Sequence, residues 1–306
     1  MVNIGGVKLQ DFQVQAAQIT EIDIPYNKAY LGDRTTQNTT QGIQVIVDDA
    51  DPAVVVYAHI YADARSEATL LLPIEGLGSS YYAMGWRPKD PNDARFVFNI
   101  VAITETTTVI IQQRINNALS STLTVTLNHV GDVYQFVGNA DENYTGTHVK
   151  VDPTNSDCKT FAMFSGDNLA YIPSTALTGD PLFQQLYATN YWWKKYVYVP
   201  FKGPDQGNYL RIIAKEDNTK VEIGTITSVT LQQGAFYTSD LITTPEIIKA
   251  NNPISVAQFA LSQQAAFITY NSNSSQYSDP DMVMLNPIES RINSITIFSS
   301  KKEVTI

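Results

Sequence analysis

One cysteine and three histidines stand in 306 residues. A lone cysteine closes no intrachain disulfide, and cysteine-rich metal sites are excluded. Charge is scarce as well: Asp, Glu, Lys and Arg make up 16% of the chain, against roughly 25% in an ordinary soluble domain. The 20 Lys and Arg are outnumbered by 30 Asp and Glu, for a net charge of −10. A chain so poor in cations lacks the electrostatic footprint of a nucleic-acid binder. Long apolar runs are missing too. The longest, Ala53 to Ala62, is broken by His59 and falls far short of the roughly 20 residues of a membrane helix. No long window keeps helical apolar spacing. Gly-x-Ser-x-Gly, two histidines four apart and a phosphate-cradling glycine loop are all absent. With no catalytic constellation, a non-enzyme is expected. Met1 leads into Val-Asn-Ile-Gly-Gly with no basic, apolar leader, and Ser299 to Ile306 ends on a strand-like run. The expectation is a segment of a longer secreted chain.

What is present reads as β-structure. Hydrophobic residues make up 43%, with 17 Tyr, 12 Phe and 3 Trp. Such content suffices for a large core. Short alternating runs recur: in Thr122 to Leu127, Leu123, Val125 and Leu127 share one face. Val, Ile, Thr, Tyr and Phe dominate these runs and suit a pleated surface. Turn residues separate them. Glu216-Asp217-Asn218-Thr219 reads as a hairpin turn between Leu210–Ala214 and Val221–Ile223. Gln232-Gln233-Gly234 punctuates a second pair of runs. Pro181 to Leu186 is expected as a short helical turn. Ala53 to Tyr57 is apolar on both faces, as in a strand covered on both sides, whereas Ile254 to Gln258 alternates.

The chain repeats itself. Phe98 to Val109 aligns with Leu210 to Val221, with Ala102 matching Ala214, an offset of 112. Gly131 and Tyr134 are echoed by Gly234 and Tyr237. Segments starting at Gly42, Gly146 and Glu246 read as one recurring element, and Leu72-Pro73-Ile74-Glu75 matches Asn286-Pro287-Ile288-Glu289. The organisation expected is a partial unit over 1–41, full units over 42–145 and 146–245, and a partial unit over 246–306. Units of about a hundred residues with turn signals every roughly 8–12 residues imply tandem β-sandwich modules. The alternative is one propeller of about six four-stranded blades.

Several of these residues carry a family likeness. They are Gly42-Ile43-x-Val45 with Val54-Val55-Val56-Tyr57-Ala58-His59, Ser66 to Pro73, Gly78-x-x-Tyr81-Tyr82 and Ile100-Val101-Ala102. To these add Phe164-Ser165-Gly166, Asp180 to Leu186, Tyr209-x-Arg211-Ile212-Ile213-Ala214 and Asp279-Pro280-Asp281-Met282. Over about residues 40 to 298 the pattern resembles the N-terminal domain family of IgGFc-binding proteins. That resemblance implies an all-β extracellular module, carried on a large, adhesin-like cell-surface or secreted protein of a bacterium. It implies no catalytic site and transfers no binding residues. Animal members often carry more cysteines, and this chain has only Cys158.

The expected partners are a protein or glycan ligand on a surface, or neighbouring modules of the same assembly. Binding candidates are aromatic: Trp86 beside Tyr81-Tyr82, and Tyr191-Trp192-Trp193 with Tyr196. Such rings stack on sugars or anchor proteins, which makes a carbohydrate-binding module the alternative to an adhesion or filament segment. Strand alternation puts Trp192 opposite Tyr191 and Trp193, so one of these faces belongs to the core. Lys194-Lys195 reads as a solvated turn. Glu67 and Glu75 are the pair an acid–base enzyme would use. Asp48-Asp49-Ala50-Asp51, Asp152 with Asn155 and Asp157, Asn139 to Asn143, and Asp279-Pro280-Asp281 carry oxygen ligands of the type calcium takes. None matches a calcium-loop template, and Asx residues serve turns anyway. No cofactor is therefore expected. The thermal midpoint should be the same in millimolar calcium and in chelator, because a ligand of the folded state would raise it.

Overall fold

The fold is described from a computed structural model covering residues 1–32, 34–48, 51–62, 65–87, 94–154, 158–203, 205–225, 227–267 and 278–290. In chain order the strands are β1 (Val2–Ile4), β2 (Val7–Gln10), β3 (Gln37–Thr39), β4 (Ile43–Val45), β5 (Val56–Ala62), β6 (Arg65–Leu71) and β7 (Ser80–Tyr82). Then come β8 (Phe96–Ala102), β9 (Thr107–Ile115), β10 (Ala118–Leu127), β11 (Val133–Val137), β12 (His148–Val151), β13 (Phe161–Ala170) and β14 (Asp180–Gln185). The last are β15 (Trp193–Tyr198), β16 (Tyr209–Ala214), β17 (Thr219–Ile223), β18 (Thr227–Leu231), β19 (Phe236–Thr238), β20 (Glu246–Ala260) and β21 (Asp281–Met284). The chain is all-β, as its sequence implies.

Two sheets of the first half, ordered β10-β9-β12-β7 and β14-β13-β8-β11-β3, face one another. Ile111 and Val149 from one meet Phe98, Ile100 and Phe161 from the other in a single core. In the second half β20 is long enough to serve two layers. Its first part pairs with β17 and β15, and its last part with β16 and β21. The orders β18-β17-β20-β15 and β21-β20-β16-β19 therefore reproduce β10-β9-β12-β7 and β14-β13-β8-β11. A second core of Tyr196, Leu210, Ile212, Val221, Ile248 and Val256 fills this pair of sheets. Neither order runs consecutively along the chain, so the strands do not form the up-and-down blades of the propeller alternative.

The repeat extends to single hydrogen bonds. Thr107 Oγ1 donates to the Thr104 carbonyl at 2.9 Å, and Thr219 Oγ1 to the Glu216 carbonyl at 2.7 Å. Tyr81 donates its hydroxyl to the Phe161 carbonyl at 2.8 Å, and Tyr196 to that of Ile254 at 2.6 Å. Each hydroxyl also accepts an amide from three residues earlier, Gly78 or Trp193. Both rings are buried, so each hydroxyl needs the partners it has found.

Four local expectations change. Glu216 to Thr219 does not close a hairpin: β16 pairs with β19 and β20, whereas β17 pairs with β18 and β20. The turn carries the chain from one layer to the other, because turn residues reverse direction without choosing the partner strand. Pro181 to Leu186 is not helical but lies mostly in β14, paired with β13. At a sheet edge the missing proline N–H costs no ladder bond. Ala53 to Tyr57 is not covered on both sides. Val55 and Tyr57 are exposed, and the strand proper, β5, pairs only with β6 in a two-stranded sheet. Lys194 and Lys195 lie within β15, exposed, rather than in a turn. Residues 80–185 and 193–284 each hold one set of paired sheets, so the strands on the two sides of residue 145 share a sheet.

Tyr81→Phe and Tyr196→Phe should each lower the unfolding free energy by about 1–3 kcal/mol, since each orphans a buried carbonyl. Urea denaturation followed by circular dichroism measures both, and similar losses at the two positions are expected.

Candidate functional site

The two sheet pairs meet along β16. Its odd positions Tyr209, Arg211 and Ile213 face the first pair, and its even positions Leu210, Ile212 and Ala214 face their own core. A strand apolar on both faces is a strand covered on both faces. Phe259, Leu261, Met282 and Met284 extend the same contact into the first core.

Turns on both sides lock the seam. Asn116 and Asn117 take positive φ of 50° and 71° at the β9–β10 turn, the paired left-handed geometry of a type I′ hairpin that Asn tolerates. Asn117 Nδ2 donates to the Phe236 carbonyl at 3.1 Å and its Oδ1 accepts the Phe236 amide at 2.8 Å. Arg114 Nη2 donates to the Gln233 carbonyl at 2.7 Å. Gly146 and Gly234 come together here. A Cβ on Gly146 would lie 2.1 Å from the Gly234 carbonyl oxygen, and its φ is +88°, so no side chain fits.

At the centre of the seam sits Arg211, only 4% exposed. Its guanidinium lies 4.5 Å from the Trp86 ring and 4.7 Å from that of Phe236, a cation–π clamp. Nε donates to Thr238 Oγ1 at 2.9 Å, and Nη1 donates to the Gly85 carbonyl and, at 3.4 Å, to Thr145 Oγ1. Burial pulls its pKa down to about 9, opposed by the Asp167 charge. Burial likewise pushes the Asp167 carboxyl up to about 7, while the Trp86 amide donating at 2.6 Å pulls it back. A cleft of about 390 Å3 opens onto this group.

A second cluster lies where β6 crosses β14 and β21. Glu67, Asp180, Asp279 and Asp281 surround a small pocket with His59. Gln184 Nε2 donates to Glu67 Oε1 at 2.8 Å, and the Ser66 amide to Asp180 Oδ1 at 3.2 Å. Burial, then the nearby Asp281, pushes Glu67 up to about 9. Burial raises Asp281 as well, and raises Asp180 to about 6. Glu75, paired with Glu67 in the sequence reading, lies apart on a short turn (Ile74–Gly76) and is exposed.

The predicted aromatic residues do not form one platform. Trp86 is buried against Tyr209 and Phe259. Trp192 is buried too, its Nε1 donating to the Tyr187 carbonyl at 3.1 Å. Tyr191 is half-buried and its hydroxyl donates to the Glu75 carbonyl at 3.1 Å. Trp193 alone of the four is exposed. Further along the same strand Val197 is exposed, with Ile247 directly across from it; Lys195 and a register break lie between Trp193 and this pair.

Among the described residues no group of three His, Cys, Asp or Glu side chains is arranged to hold a metal. Asp152 instead accepts the Thr154 amide at 2.9 Å in a local turn, and Asn139 donates to Glu142 at 3.0 Å. Asp49, Asn155 and Asp157 lie outside the described residues. His148, stacked 4.2 Å from Tyr82, is held down to about pH 4 by burial. Cys158 is free and exposed.

The family model described as IgGFc binding protein matches residues 67–305. The chain belongs to that family. The match takes in β7 to β21, the Arg211 seam and the four carboxylates of the acidic pocket. No curated protein and no solved structure matches the chain. IgGFc-binding modules are extracellular and protein-binding, and among the described residues no helix is long and apolar enough to cross a membrane.

The raised Glu67 pKa sets a pH dependence. The folded state holds the proton more tightly than the unfolded chain, so the contribution of Glu67 is fully present below about pH 4.5 and is lost as pH rises toward 9. Stability should therefore fall across this interval. In Glu67→Gln the fall should be shallower, and stability at pH 8 higher than in the wild type. Thermal unfolding from pH 4 to 9 reads both.

Proposed function

We propose that this chain is a non-enzymatic extracellular module of a larger cell-surface or secreted adhesin-like protein, holding a protein partner on its outer face. It needs no cofactor. The observation that carries this reading is the set of half-exposed apolar side chains on the β15–β20 sheet, Trp193 near one end of β15 and the Val197–Ile247 pair near the other. Exposed apolar side chains gathered on one region of a folded surface mark interaction sites, and Trp is enriched at their energetic centre. Lys195 and Lys249 stand opposite one another on the same face. Lying between Trp193 and the Val197–Ile247 pair, these cations speed encounter with an acidic partner. The rigid, doubly covered β16 layer beneath supports a surface that binds without rearranging, and family membership supports an extracellular setting.

Beads coated with the purified chain should adhere to surfaces bearing extracellular glycoproteins. Trp193→Ala with Ile247→Glu should cut retention at least about tenfold, as for loss of central anchors, while the thermal midpoint stays within a few degrees. Turnover of any member of a polysaccharide or peptide library would replace the non-enzymatic reading, and undiminished retention would move the binding face elsewhere.

A further inference from the structure

The seam cleft holds a donor with no acceptor. Of the N–H groups of Arg211, those on Nε and Nη1 are taken by Thr238, Gly85 and Thr145. Nη2 has no hydrogen-bond partner among the described residues, although the side chain is 4% exposed and lines the cavity. A guanidinium only donates, and it stays charged at neutral pH. Asp167 does not fill the place. One of its oxygens accepts the Trp86 amide, and the other is sealed in the core without a partner. The Trp86 and Phe236 rings fix the guanidinium plane, so its free Nη2 donors are oriented before any ligand arrives. A charged donor of this kind matches an anionic oxygen such as a carboxylate.

The rest of the wall narrows the choice. Asn116, Asn143, Ser174 and Thr238 line the same cavity with amides and hydroxyls, the partners that ring hydroxyls require. A volume of about 390 Å3 lies at the small end of ligand sites, suited to one or two sugar rings. We infer that the seam cleft binds a carboxylated sugar unit, with Arg211 Nη2 receiving the carboxylate and Asn116, Asn143 and Ser174 meeting the hydroxyls. This site lies on β16, away from the β15–β20 face assigned to a protein partner, and neither assignment depends on the other.

Titration of the full chain followed by tryptophan fluorescence and calorimetry tests it, with glucuronate, glucose, acetate and a Gly-Glu-Gly peptide as probes. Glucuronate should bind saturably at one site. Glucose, acetate and the peptide should each bind at least about tenfold more weakly, as expected for loss of a charge-assisted pair or of several hydroxyl contacts. Arg211→Lys, checked for an unchanged fold by its melt, should weaken glucuronate by about tenfold or more, because an ammonium is not held in plane between the two rings as the guanidinium is. Since Arg211 also braces the seam, Ser174→Trp supplies an independent block: Ser174 is exposed at the rim, and filling it should abolish binding without touching the clamp. The inference is overturned by no saturable glucuronate binding at tens of millimolar, by acetate or peptide binding as tightly as glucuronate, or by Ser174→Trp retaining full affinity.

Discussion

A guanidinium removed from water has to recover the lost hydration from its surroundings, or the fold cannot keep it there. Arg211 recovers it from two ring faces, a backbone carbonyl and two hydroxyls drawn from both sheet pairs. None of these partners is sufficient alone. Gly85, Trp86 and Thr145 come from the first pair, Phe236 and Thr238 from the second, so these contacts are all made only when the two pairs are docked. The Asn117 and Arg114 contacts to Phe236 and Gln233 then hold the same junction from its edge. Everything that distinguishes this chain from two independent β-units follows from that seam: a middle layer buried on both faces, a cleft at its margin and a rigid outer face.

The two halves share topology but not roles. Asn99 occupies in β8 the place that Arg211 holds in β16, and its Oδ1 is buried without a partner. One repeat thus carries a polar residue with unmet valence where the other carries a clamped cation. The Tyr81 and Tyr196 anchors and the Thr107 and Thr219 turn bonds are unchanged between halves. The scaffold bonds repeat because every copy needs its layers joined. The outward positions diverge because each copy faces different neighbours. The acidic pocket belongs to this second class: Glu67, Asp180 and Asp281 are brought together by the crossing of β6 over β14 and β21 and have no counterpart in a single ladder.

Much of the scaffold was legible in the chain. Alternation in Thr122 to Leu127 puts Leu123, Val125 and Leu127 on one face, and on that face Val125 and Leu127 are buried. The offset of 112 between Ala102 and Ala214 matched the strands that turned out to hold equivalent sheet positions. The site was legible only in fragments. Trp86 was singled out as a ring but is the wall of a clamp, and Arg211 was visible only as one letter of a motif. Glu67 and Glu75 are near neighbours in sequence, but the carboxyl that lies near Glu67 in the fold is that of Asp281. Of Trp192 and Trp193, alternation said that they point to opposite faces but not which face was covered.

The amino-acid sequence by itself determined the all-β class, the repeat, the absence of disulfides and the family, because periodicity, turn chemistry and composition act over a few residues at a time. Tertiary structure alone decided which turns cross between layers, which strand is covered twice and which charges are taken out of water. Those depend on contacts between residues far apart in the chain, up to more than a hundred positions. The lone cysteine and the thin supply of charge take their meaning there: with no covalent staple, the halves are joined by packing, by turn-to-backbone hydrogen bonds and by one of the few cations the chain possesses.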